Sequence, residues 1–482
     1  MLFNSIDFAI FLPLTFILFW TLFYKKTILQ NVFLTTVSFI FYGWWDWRFL
    51  SLITISIIVD YLIGILLNNR KGKLIRKILL ATSIGVNLGL LAYFKYANFF
   101  IDNFIDAFSL LGKSIDIQSI NLILPVGISF YTFQTLSYTI DVYNKKINAT
   151  NNFFAFTAFV SFFPQLVAGP IERAKNLLPQ FLQTRRFNFN TSRDGLQQIL
   201  WGMFKKIVIA DNCAYYANTI FNNYTEASSV GLIIGAIFFT FQIYGDFSGY
   251  SDIAIGTAKL FGFKLKQNFA FPYFSRDIAE FWRRWHISLS SWFKDYVYIP
   301  LGGSKGSVFK KIRNVFIIFL VSGFWHGANW TFIFWGILNA IYFIPLMILK
   351  RNRHNTEVIA KYQNMPNIKE FLNMITTFSL TVLAWILFRS KNMYEATDYI
   401  YNIFIFPLAK PTLISIDIKL IAITCLIIFL IIIEWNGRAF EHALKDINKR
   451  WNKWIRITTY YTIVMLILYY FGKEEEFIYF QF

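Results

Sequence analysis

The sequence predicts an all-α polytopic membrane protein. Three observations support this fold class: 56% of the 482 residues are hydrophobic, only 15% are charged, and the apolar residues lie in long continuous runs. A soluble domain averages roughly 45–50% apolar and about 25% charged residues, and a transmembrane barrel would show alternating hydrophobicity instead. The composition therefore excludes a soluble enzyme and a disordered chain. A disulfide-stapled secreted domain is excluded too, because Cys213 and Cys425 are the only cysteines.

Roughly eleven apolar runs approach the ~20 residues that a membrane-spanning helix needs. The clearest are Phe8 to Phe23, Val32 to Trp44, Phe49 to Leu67, Ile78 to Phe94, Leu122 to Val142, Val315 to Trp335, Ile337 to Leu349, Phe371 to Phe388, Leu420 to Ile433 and Ile457 to Phe471. The first run has no cleavage-site pattern of small residues, so we interpret it as a retained span and not as a signal peptide.

The positive charges predict how these spans are oriented. Lysine and arginine number 46 against 27 aspartates and glutamates, a formal net charge of +19. Such a surplus suits nucleic-acid binding, but in membrane proteins it collects in cytoplasmic loops. Basic clusters follow every second crossing, at Lys25-Lys26, Arg70 to Lys77 and Lys145-Lys146, and again between the last two spans at Arg438 to Arg456. We therefore expect both termini on the extracytoplasmic side, membrane lipid around the protein, and no nucleic-acid partner.

The middle of the chain is less regular than its ends. The apolar run Phe153 to Pro170 is interrupted by Pro164 and by Gly169-Pro170, and the stretch Leu265 to Pro300 mixes Arg, Trp, His and Pro. Backbone groups left unpaired in lipid cost several kcal/mol each. We therefore expect re-entrant or interfacial segments that surround a functional site at membrane depth.

His326 is the first candidate for chemistry. It lies inside an apolar run, where an ionisable side chain is unfavourable and indicates a functional site by default. On a continuous helix, Ser322 and Asn329 share a face with His326, and either side chain would fix which ring nitrogen carries the proton. Gly323 and Gly327 have a small-xxx-small spacing, so a structural histidine between packed helices is the alternative.

His286 is the second candidate, in the Trp- and Arg-rich segment Phe281 to Ser290. Trp282 lies one helical turn before it, and Glu280 and Arg284 have the spacing of a surface ion pair. An interfacial helix is the alternative, because Trp and Arg belong at the headgroup level. A neutral imidazole suits proton abstraction from a hydroxyl, to which a positioned base contributes about 10²–10⁴-fold.

The other two histidines, His354 and His442, lie in basic loops, where we expect solvated side chains. No His-x-x-x-His, HExxH or cysteine cluster is present in the sequence, so no metal site is predicted. Gly302 to Gly306 lacks the full spacing of a phosphate-binding loop and predicts an ordinary turn.

Asp246 and Asp252 place two carboxylates within an apolar stretch. Buried carboxylates need a partner. We expect them to pair with Arg283 or Arg284, with the lining of a polar cavity as the alternative.

Four segments, read together, resemble the membrane-bound O-acyltransferases, specifically the bacterial alginate O-acetyltransferase branch. They are Phe163 to Arg173, Asp246 to Asp252, Glu280 to His286 and Gly323 to Gly327, and the resemblance covers most of the chain. It implies one transmembrane domain over residues 1–482. It also implies a ring of tilted helices with re-entrant segments around a central funnel, in the bacterial inner membrane.

The resemblance further implies the reaction. Acetyl-CoA is the expected cytoplasmic donor substrate, with no permanently bound cofactor, and its acetyl group crosses the membrane for O-acetylation of an extracytoplasmic polysaccharide. His326 corresponds to the invariant histidine of the branch and is the expected general base, and His286 corresponds to its second histidine. The expected partners are an extracytoplasmic SGNH-hydrolase-type acetyltransferase and an exopolysaccharide or cell-wall glycan as acceptor.

The side chains expected to bind substrate surround the two histidines. They are Ser322, Asn329, Trp325, Trp282, Trp285 and Arg283. The basic cytoplasmic face would attract the phosphates of the donor, although the same charges also set the topology.

The C-terminal segment 477–482 resembles a motif of this branch and of a small companion protein of the teichoic-acid D-alanylation system. The resemblance implies that Tyr479 is a candidate acyl carrier in an extracytoplasmic motif. A phenol of pKa about 10 is a weak nucleophile unless a base such as His326 activates it. An aromatic interfacial anchor is the alternative.

Other functions stay open at the level of sequence. D-alanyl transfer from a carrier protein to teichoic acid is the same chemistry with another donor. A polysaccharide transporter, or a scaffold for envelope-polymer assembly, would not depend on His326. The acceptor glycan is also open among alginate, peptidoglycan, cellulose and other exopolysaccharides, because resemblance to a branch does not fix the acceptor.

Overall fold

The computed structural model describes residues 1–24, 26–112, 115, 117–120, 122–167, 169–405, 418–472 and 477–478. These residues are predominantly helical, and no β-strand occurs among them. Sequence reasoning expects one transmembrane domain over 1–482. The structure divides into two compact units, Met1–Ser192 with Ala258–Leu265 (unit 1) and Arg193–Thr257 with Lys266–Phe482 (unit 2), and each is described in turn.

Unit 1 is built from short and medium-length helices. They are α1 (Ile6–Thr21), α2 (Thr27–Gly43), α3 (Leu50–Asn69), α4 (Lys73–Leu91), α5 (Ala97–Leu110), α6 (Ile128–Tyr143), α7 (Phe153–Ser161), α8 (Phe163–Leu166) and α9 (Ala174–Leu182). The break expected near Pro164 is confirmed, because α7 ends at Ser161 and the proline lies in the first turn of α8. Proline is tolerated there because it lacks only an N–H that a first turn leaves unpaired anyway.

A carboxylate lies buried among the helices of unit 1. The Asp60 carboxylate on α3 accepts hydrogen bonds from Ser83 Oγ, from Asn87 Nδ2 at 2.8 Å and from Thr139 Oγ1 at 3.0 Å. These donors come from α4 and α6, so one polar side chain ties three helices together. A buried carboxylate is tolerated only with such compensation.

Unit 2 contains the longer helices. They are α10 (Phe189–Met203, which begins in unit 1), α11 (Asp211–Asn222), α12 (Ser229–Leu260, which ends in unit 1), α13 (Ile278–Arg284), α14 (Ile287–Phe293), α15 (Val308–His326), α16 (Trp330–Ile348), α17 (Ile368–Arg389), α18 (Met393–Ile405), α19 (Ile418–Gly437), α20 (Ile447–Arg450) and α21 (Lys453–Tyr470). A π-helical segment, Phe204–Ala210, joins α10 to α11. The stretch Leu265 to Pro300 folds as short helices separated by turns, as its mixed composition indicates.

Several helices meet the length and apolarity needed to cross a membrane. Among the described residues there are six such stretches. They are Trp47–Asn69, which includes α3, Lys73–Leu110, which includes α4 and α5, Ser229–Leu260, Trp330–Ile348, Ile368–Arg389 and Ile418–Gly437. The helices Ile6–Thr21 and Thr27–Gly43 are apolar but shorter. The all-α polytopic fold class is confirmed. The number is below the roughly eleven expected from apolar runs of ~20 residues. Several runs instead form short helices such as α7 and α8, or helices with charged residues such as α15.

Glycines allow α12 to approach the α10 segment closely within unit 2. A Cβ added at Gly202 would lie 2.6 Å from the Gly249 carbonyl oxygen, and one at Gly249 would lie 2.8 Å from the Gly202 carbonyl oxygen. Real Cβ atoms are not found at such distances from backbone. This contact places the lysines that follow α10 beside the aspartates of α12.

A second glycine contact holds α15 against α16. A Cβ added at Gly323 would lie 2.2 Å from the Phe332 carbonyl oxygen, and one at Gly336 would lie 2.3 Å from the Phe319 carbonyl oxygen. The expected packing role of Gly323 is therefore confirmed. Because His326 is one turn beyond Gly323, this contact also decides what faces its imidazole.

We predict that Gly323→Ala lowers the stability of the folded protein. The new methyl group meets a carbonyl oxygen and forces the helices apart, and overpacking of this kind typically costs about 1–3 kcal/mol. The measurement is the thermal unfolding midpoint of the detergent-solubilised protein. Gly85→Ala on α4 is the matched control, because an added Cβ there meets nothing within 4 Å and alanine favours helix. Equal midpoints for the two variants would contradict the prediction.

Candidate functional site

His286 lies at the junction of two short helices and not within one. The helix α13 ends at Arg284, and His286 caps the N-terminus of α14 with a φ of 43°. The left-handed region is uncommon for a residue other than glycine, and such strain persists only where the surroundings impose it. The junction points the imidazole into the interior of unit 2, where 1% of the residue is exposed.

Asn268 fixes the tautomer of His286. Its Oδ1 lies 3.1 Å from His286 Nδ1 and accepts hydrogen bonds from Ser288 N at 3.2 Å and Ser288 Oγ at 2.8 Å. Because a backbone N–H only donates, Oδ1 faces this junction as an acceptor, and the Asn268 amide group donates to Ser251 Oγ at 3.0 Å. His286 Nδ1 must then carry the hydrogen, which makes Nε2 the basic nitrogen of the ring.

His326 is the last residue of α15. Gly327 follows as the C-terminal cap with extended backbone, and 3% of His326 is exposed. Its imidazole meets Trp335 of α16 edge-on at 5.2 Å between ring centroids, and Phe388 of α17 at 5.3 Å. The histidine is thus enclosed by aromatic side chains of two neighbouring helices.

Trp325 brings the two histidines together. Its ring centroid lies 6.0 Å from that of His286 and 4.9 Å from that of His326. One indole therefore contacts both imidazoles, and two residues from separate parts of the sequence belong to one site. The structure confirms neither catalytic role by itself, but it joins the two residues that the sequence singled out.

Further aromatic rings surround this pair. The ring centroid of Trp385 lies 4.9 Å from that of Trp285 and 5.9 Å from that of Trp335, on which it stacks. Phe247 meets His286 edge-on at 4.6 Å. An apolar lining of this kind excludes water and strengthens the electrostatic interactions of the few polar groups within it.

Asn329 does not share a helical face with His326. The helix ends at His326, and Asn329 caps the next helix, where its Oδ1 accepts from Thr331 N at 3.0 Å and its Nδ2 donates to the Lys391 carbonyl at 2.8 Å. The expectation that Asn329 sets the tautomer of His326 is therefore wrong. Gly327 ends the helix too early for that register. Ser322 does lie on α15, one turn before His326, and is buried.

Trp282 and Arg283 lie at the edge of the site. Trp282 Nε1 donates to Asn339 Oδ1 on α16 at 3.2 Å. The Arg283 guanidinium donates to the carbonyls of Asn352 at 2.6 Å and Asn355 at 2.8 Å. Arg283 therefore holds the loop that follows α16, and a role in binding substrate stays a prediction.

The Glu280 pair is buried and not on the surface as its spacing suggested. Glu280 is 1% exposed, and its carboxylate accepts from Arg284 at 2.8 Å and from Arg276 at 3.1 Å. Arg276 also meets Glu370 at 3.1 Å. Burial by itself lowers the pKa of Arg276, but the two carboxylates hold that pKa above its ordinary value. This charge cluster fixes α13, and hence the junction at His286.

The aspartates of α12 pair with lysines. Lys206 Nζ lies 2.8 Å from Asp246 Oδ1 and 2.7 Å from Asp211 Oδ1, and Lys205 Nζ lies 2.6 Å from Asp252 Oδ2. The expected pairing with an arginine of α13 is wrong, because those arginines bind Glu280 and backbone carbonyls. The glycine contact between α10 and α12 brings the lysines within reach instead.

The remaining histidines differ from one another. His354 is exposed, as expected for a loop residue. His442 is 1% exposed, and its Nε2 lies 3.0 Å from Asp194 Oδ1. The expectation of a solvated His442 is wrong, because the imidazole is buried beside Asp194 of α10, and Arg450 binds the carbonyl of the adjacent Ala443.

The C-terminal motif is described only at Phe477 and Ile478, and Tyr479 lies outside the described residues. The two described residues are 0% and 1% exposed, so this part of the motif is buried in unit 2. The Ile478 N–H donates to Asp246 Oδ2 at 2.6 Å. The side of the membrane on which the motif lies stays a prediction.

Sequence reasoning missed several side chains of the site. Asn268, Trp335, Trp385 and Phe388 lie in contact with the predicted residues but carry no motif of their own. A single asparagine next to a run of aromatics offers no spacing to detect. Among the described residues, no group of three or more His, Cys, Asp or Glu side chains is placed to hold a metal ion.

Comparison with known proteins places this site in a family. The model of the membrane-bound O-acyltransferase family, MBOAT, matches residues 145–387, a range that includes both histidines. The chain belongs to the membrane-bound O-acyltransferase family. It is accordingly a multi-pass membrane protein and an acyltransferase, and the resemblance seen in the sequence is confirmed.

Three relatives illustrate the range within the family. The chain is 39% identical over 378 residues to a probable alginate O-acetylase, AlgI, of Pseudomonas aeruginosa, covering 76% of this chain and 69% of the relative. It is 36% identical over 425 residues to a peptidoglycan O-acetyltransferase of Helicobacter pylori, covering 82% and 78%. It is 27% identical over 286 residues to a teichoic acid D-alanyltransferase of Bacillus subtilis, covering 56% and 70%.

We predict that Asn268 acts on acyl transfer through His286. Asn268→Leu removes the acceptor for Nδ1–H, and the loss of one hydrogen bond of about 1–1.5 kcal/mol lowers the transfer rate about tenfold. In a double-mutant cycle, the variant with both Asn268→Leu and His286→Ala should be no slower than His286→Ala alone, because the two residues act as a unit.

The control is Asn314→Leu, which removes another buried amide, one that donates to the Leu301 and Gly303 carbonyls. It should lower stability without entering the cycle. Losses that simply multiply in the Asn268–His286 double variant would contradict the coupling.

Proposed function

We propose that this acyltransferase takes an acetyl group from cytoplasmic acetyl-CoA and delivers it, across the bacterial inner membrane, for O-acetylation of an extracytoplasmic polysaccharide. The observation that carries the proposal is the pair of buried histidines, His286 and His326, which both contact the indole ring of Trp325. A family of O-acyltransferases needs a base for a hydroxyl, and these are the buried imidazoles of the site. The names of the relatives from Pseudomonas and Helicobacter support a glycan acceptor.

His326 is the general base of this proposal. The acceptor hydroxyl loses its proton to the imidazole as its oxygen attacks the thioester carbonyl. A C–O bond forms, the C–S bond breaks, and coenzyme A leaves as the thiol once the proton is returned. An imidazole is suited to this exchange because its pKa lies near the working pH.

His286 positions the thioester or assists the proton transfer. Its Nδ1–H is engaged by Asn268, so Nε2 is the basic nitrogen of the ring. The strained backbone at this residue holds the ring in one orientation, which is the condition for a positioned catalytic group.

Tyr479 is the proposed acyl carrier between the two sides of the membrane. Its phenol would accept the acetyl group as an ester and pass it to a glycan hydroxyl, with an extracytoplasmic SGNH-hydrolase-type partner completing the transfer. The burial of Phe477 and Ile478 in unit 2 supports this role, because the residue that follows them is joined to a segment held inside the same unit as the histidines. The orientation with both termini outside belongs to the same proposal.

D-alanyl transfer is the second candidate. The relative from Bacillus subtilis, named a teichoic acid D-alanyltransferase, favours it, although the identity of 27% is lower than that to the O-acetylating relatives. A D-alanyl carrier protein would then replace acetyl-CoA as donor. Transfer from the charged carrier protein, with none from acetyl-CoA, would establish this candidate.

We predict that His326→Ala abolishes the acetylation of the C-terminal peptide. The purified protein is incubated with isotopically labelled acetyl-CoA, and mass spectrometry measures the adduct on the peptide that contains Tyr479. The variant should lose at least about 10²-fold in rate, because a positioned general base contributes about 10²–10⁴-fold.

His354→Ala is the matched control, since this histidine is exposed in a loop, and it should acetylate as the wild type does. An equal loss in both variants would contradict the assignment of His326. Transfer of acetyl without an adduct in the wild type would leave the base in place and make Tyr479 an anchor. Neither adduct nor turnover, with candidate partners added, would direct the test to the D-alanyl donor.

A further inference from the structure

The described part of the C-terminal segment occupies a defined place on α12. The Ile478 N–H donates to Asp246 Oδ2 at 2.6 Å, and the Phe477 ring lies 4.3 Å from Tyr250 and 6.1 Å from Phe247. Asp246, Phe247 and Tyr250 lie within about one helical turn of each other, near the middle of α12. The segment is therefore held on α12 by a backbone hydrogen bond and by aromatic contacts with Tyr250 and Phe247.

The carboxylate that receives this hydrogen bond belongs to a buried ion cluster. Lys206 Nζ lies 2.8 Å from Asp246 and 2.7 Å from Asp211, and the three side chains are between 1% and 5% exposed. The Lys206 ammonium faces the carboxylates of both Asp246 and Asp211. A backbone N–H directed at such a carboxylate makes a charge-assisted hydrogen bond, which is shorter and stronger than a neutral one.

The position of Phe477 and Ile478 on α12 is linked to the histidine site through the ring of Phe247. Phe247 contacts Phe477 on one side and meets the His286 imidazole edge-on at 4.6 Å on the other. The residue that anchors the segment and the residue that touches His286 are neighbours in the sequence of α12. A shift of the segment along α12 would therefore change its register relative to His286.

We propose that Asp246, held by Lys206, is the docking site for the chain's own C-terminal segment at Phe477 and Ile478, and that acylation of Tyr479 depends on this docking. The ligand is a peptide with an aromatic side chain followed by a free backbone N–H, here Phe477 and Ile478. The docking itself rests on these contacts alone. Only its role in the acylation of Tyr479 rests on the proposed function. Asp246 is a positioning residue in this proposal and does not touch the acyl group.

Two variants test the docking from opposite sides. Asp246→Asn removes the charge that strengthens the hydrogen bond and leaves Lys206 paired with Asp211. Ile478→Pro removes the donor itself and leaves the ion cluster intact, so it serves if the first variant fails to fold. The matched control is Asp252→Asn, on the same helix and paired with Lys205 at 2.6 Å.

The measurement is trimming of the full-length protein in detergent by a carboxypeptidase that also releases proline, followed by intact mass. Each trimming rate is divided by that of a free C-terminal peptide with the same substitution, so that the intrinsic effect of proline on cleavage is removed. Trimming of a closed segment tracks the population of its open form. In the wild type and in Asp252→Asn, removal of Ile478 and Phe477 should be slow. In Asp246→Asn and Ile478→Pro it should be at least about tenfold faster, as expected for the loss of a charge-assisted hydrogen bond.

The labelled acetyl-CoA assay, run on the same samples, separates docking from function. Faster trimming together with less acetyl adduct on the C-terminal peptide supports docking and its purpose. Faster trimming with no adduct in the wild type supports docking and removes the carrier role of Tyr479. Trimming of Ile478→Pro at the rate of the wild type, or trimming of Asp252→Asn as fast as that of Asp246→Asn, would overturn the docking site whatever the acetylation shows.

Discussion

Hydrocarbon offers no hydrogen-bond partner, so the buried polar groups of this chain must satisfy one another inside the protein. In unit 1 the Asp60 carboxylate gathers donors from two neighbouring helices. In unit 2 Lys206 is held between two aspartates, and Asn268 collects the donors of the His286 junction. Each of these polar groups fixes the relative position of separate segments, and the site is assembled from segments fixed in this way.

The candidate site combines strain with an apolar lining. His286 has left-handed backbone and is held by Asn268, while His326 ends α15 and is enclosed by rings from α16 and α17. The described residues around the histidines are mainly aromatic, so the polar groups among them act with less screening than they would in water. The Asn268 contact and the apolar lining together hold the His286 imidazole in one tautomer and one orientation.

Family membership and site geometry answer different questions. Membership in the membrane-bound O-acyltransferases establishes the class of reaction, and relatives named for alginate and for peptidoglycan share similar identity with this chain. The names of these two relatives therefore do not decide between alginate and peptidoglycan as the acceptor. The geometry adds how His286 and His326 are brought together, how the tautomer of His286 is fixed, and where the described end of the C-terminal segment is held, which names alone do not supply.

The sequence by itself determined the fold class, because its long apolar runs leave few alternatives to membrane-spanning helices. It determined the family through the resemblance of four segments, and it singled out His286 and His326 as candidates. It also located the break near Pro164 and the packing role of Gly323. Only the tertiary structure decided the partners: Lys206 for Asp246, Asn268 for His286, Asp194 for His442, and the end of α15 that separates Asn329 from His326. Partner choice depends on which segments the glycine contacts bring together and where a helix ends. Those are properties of packed backbones and not of spacing along the chain.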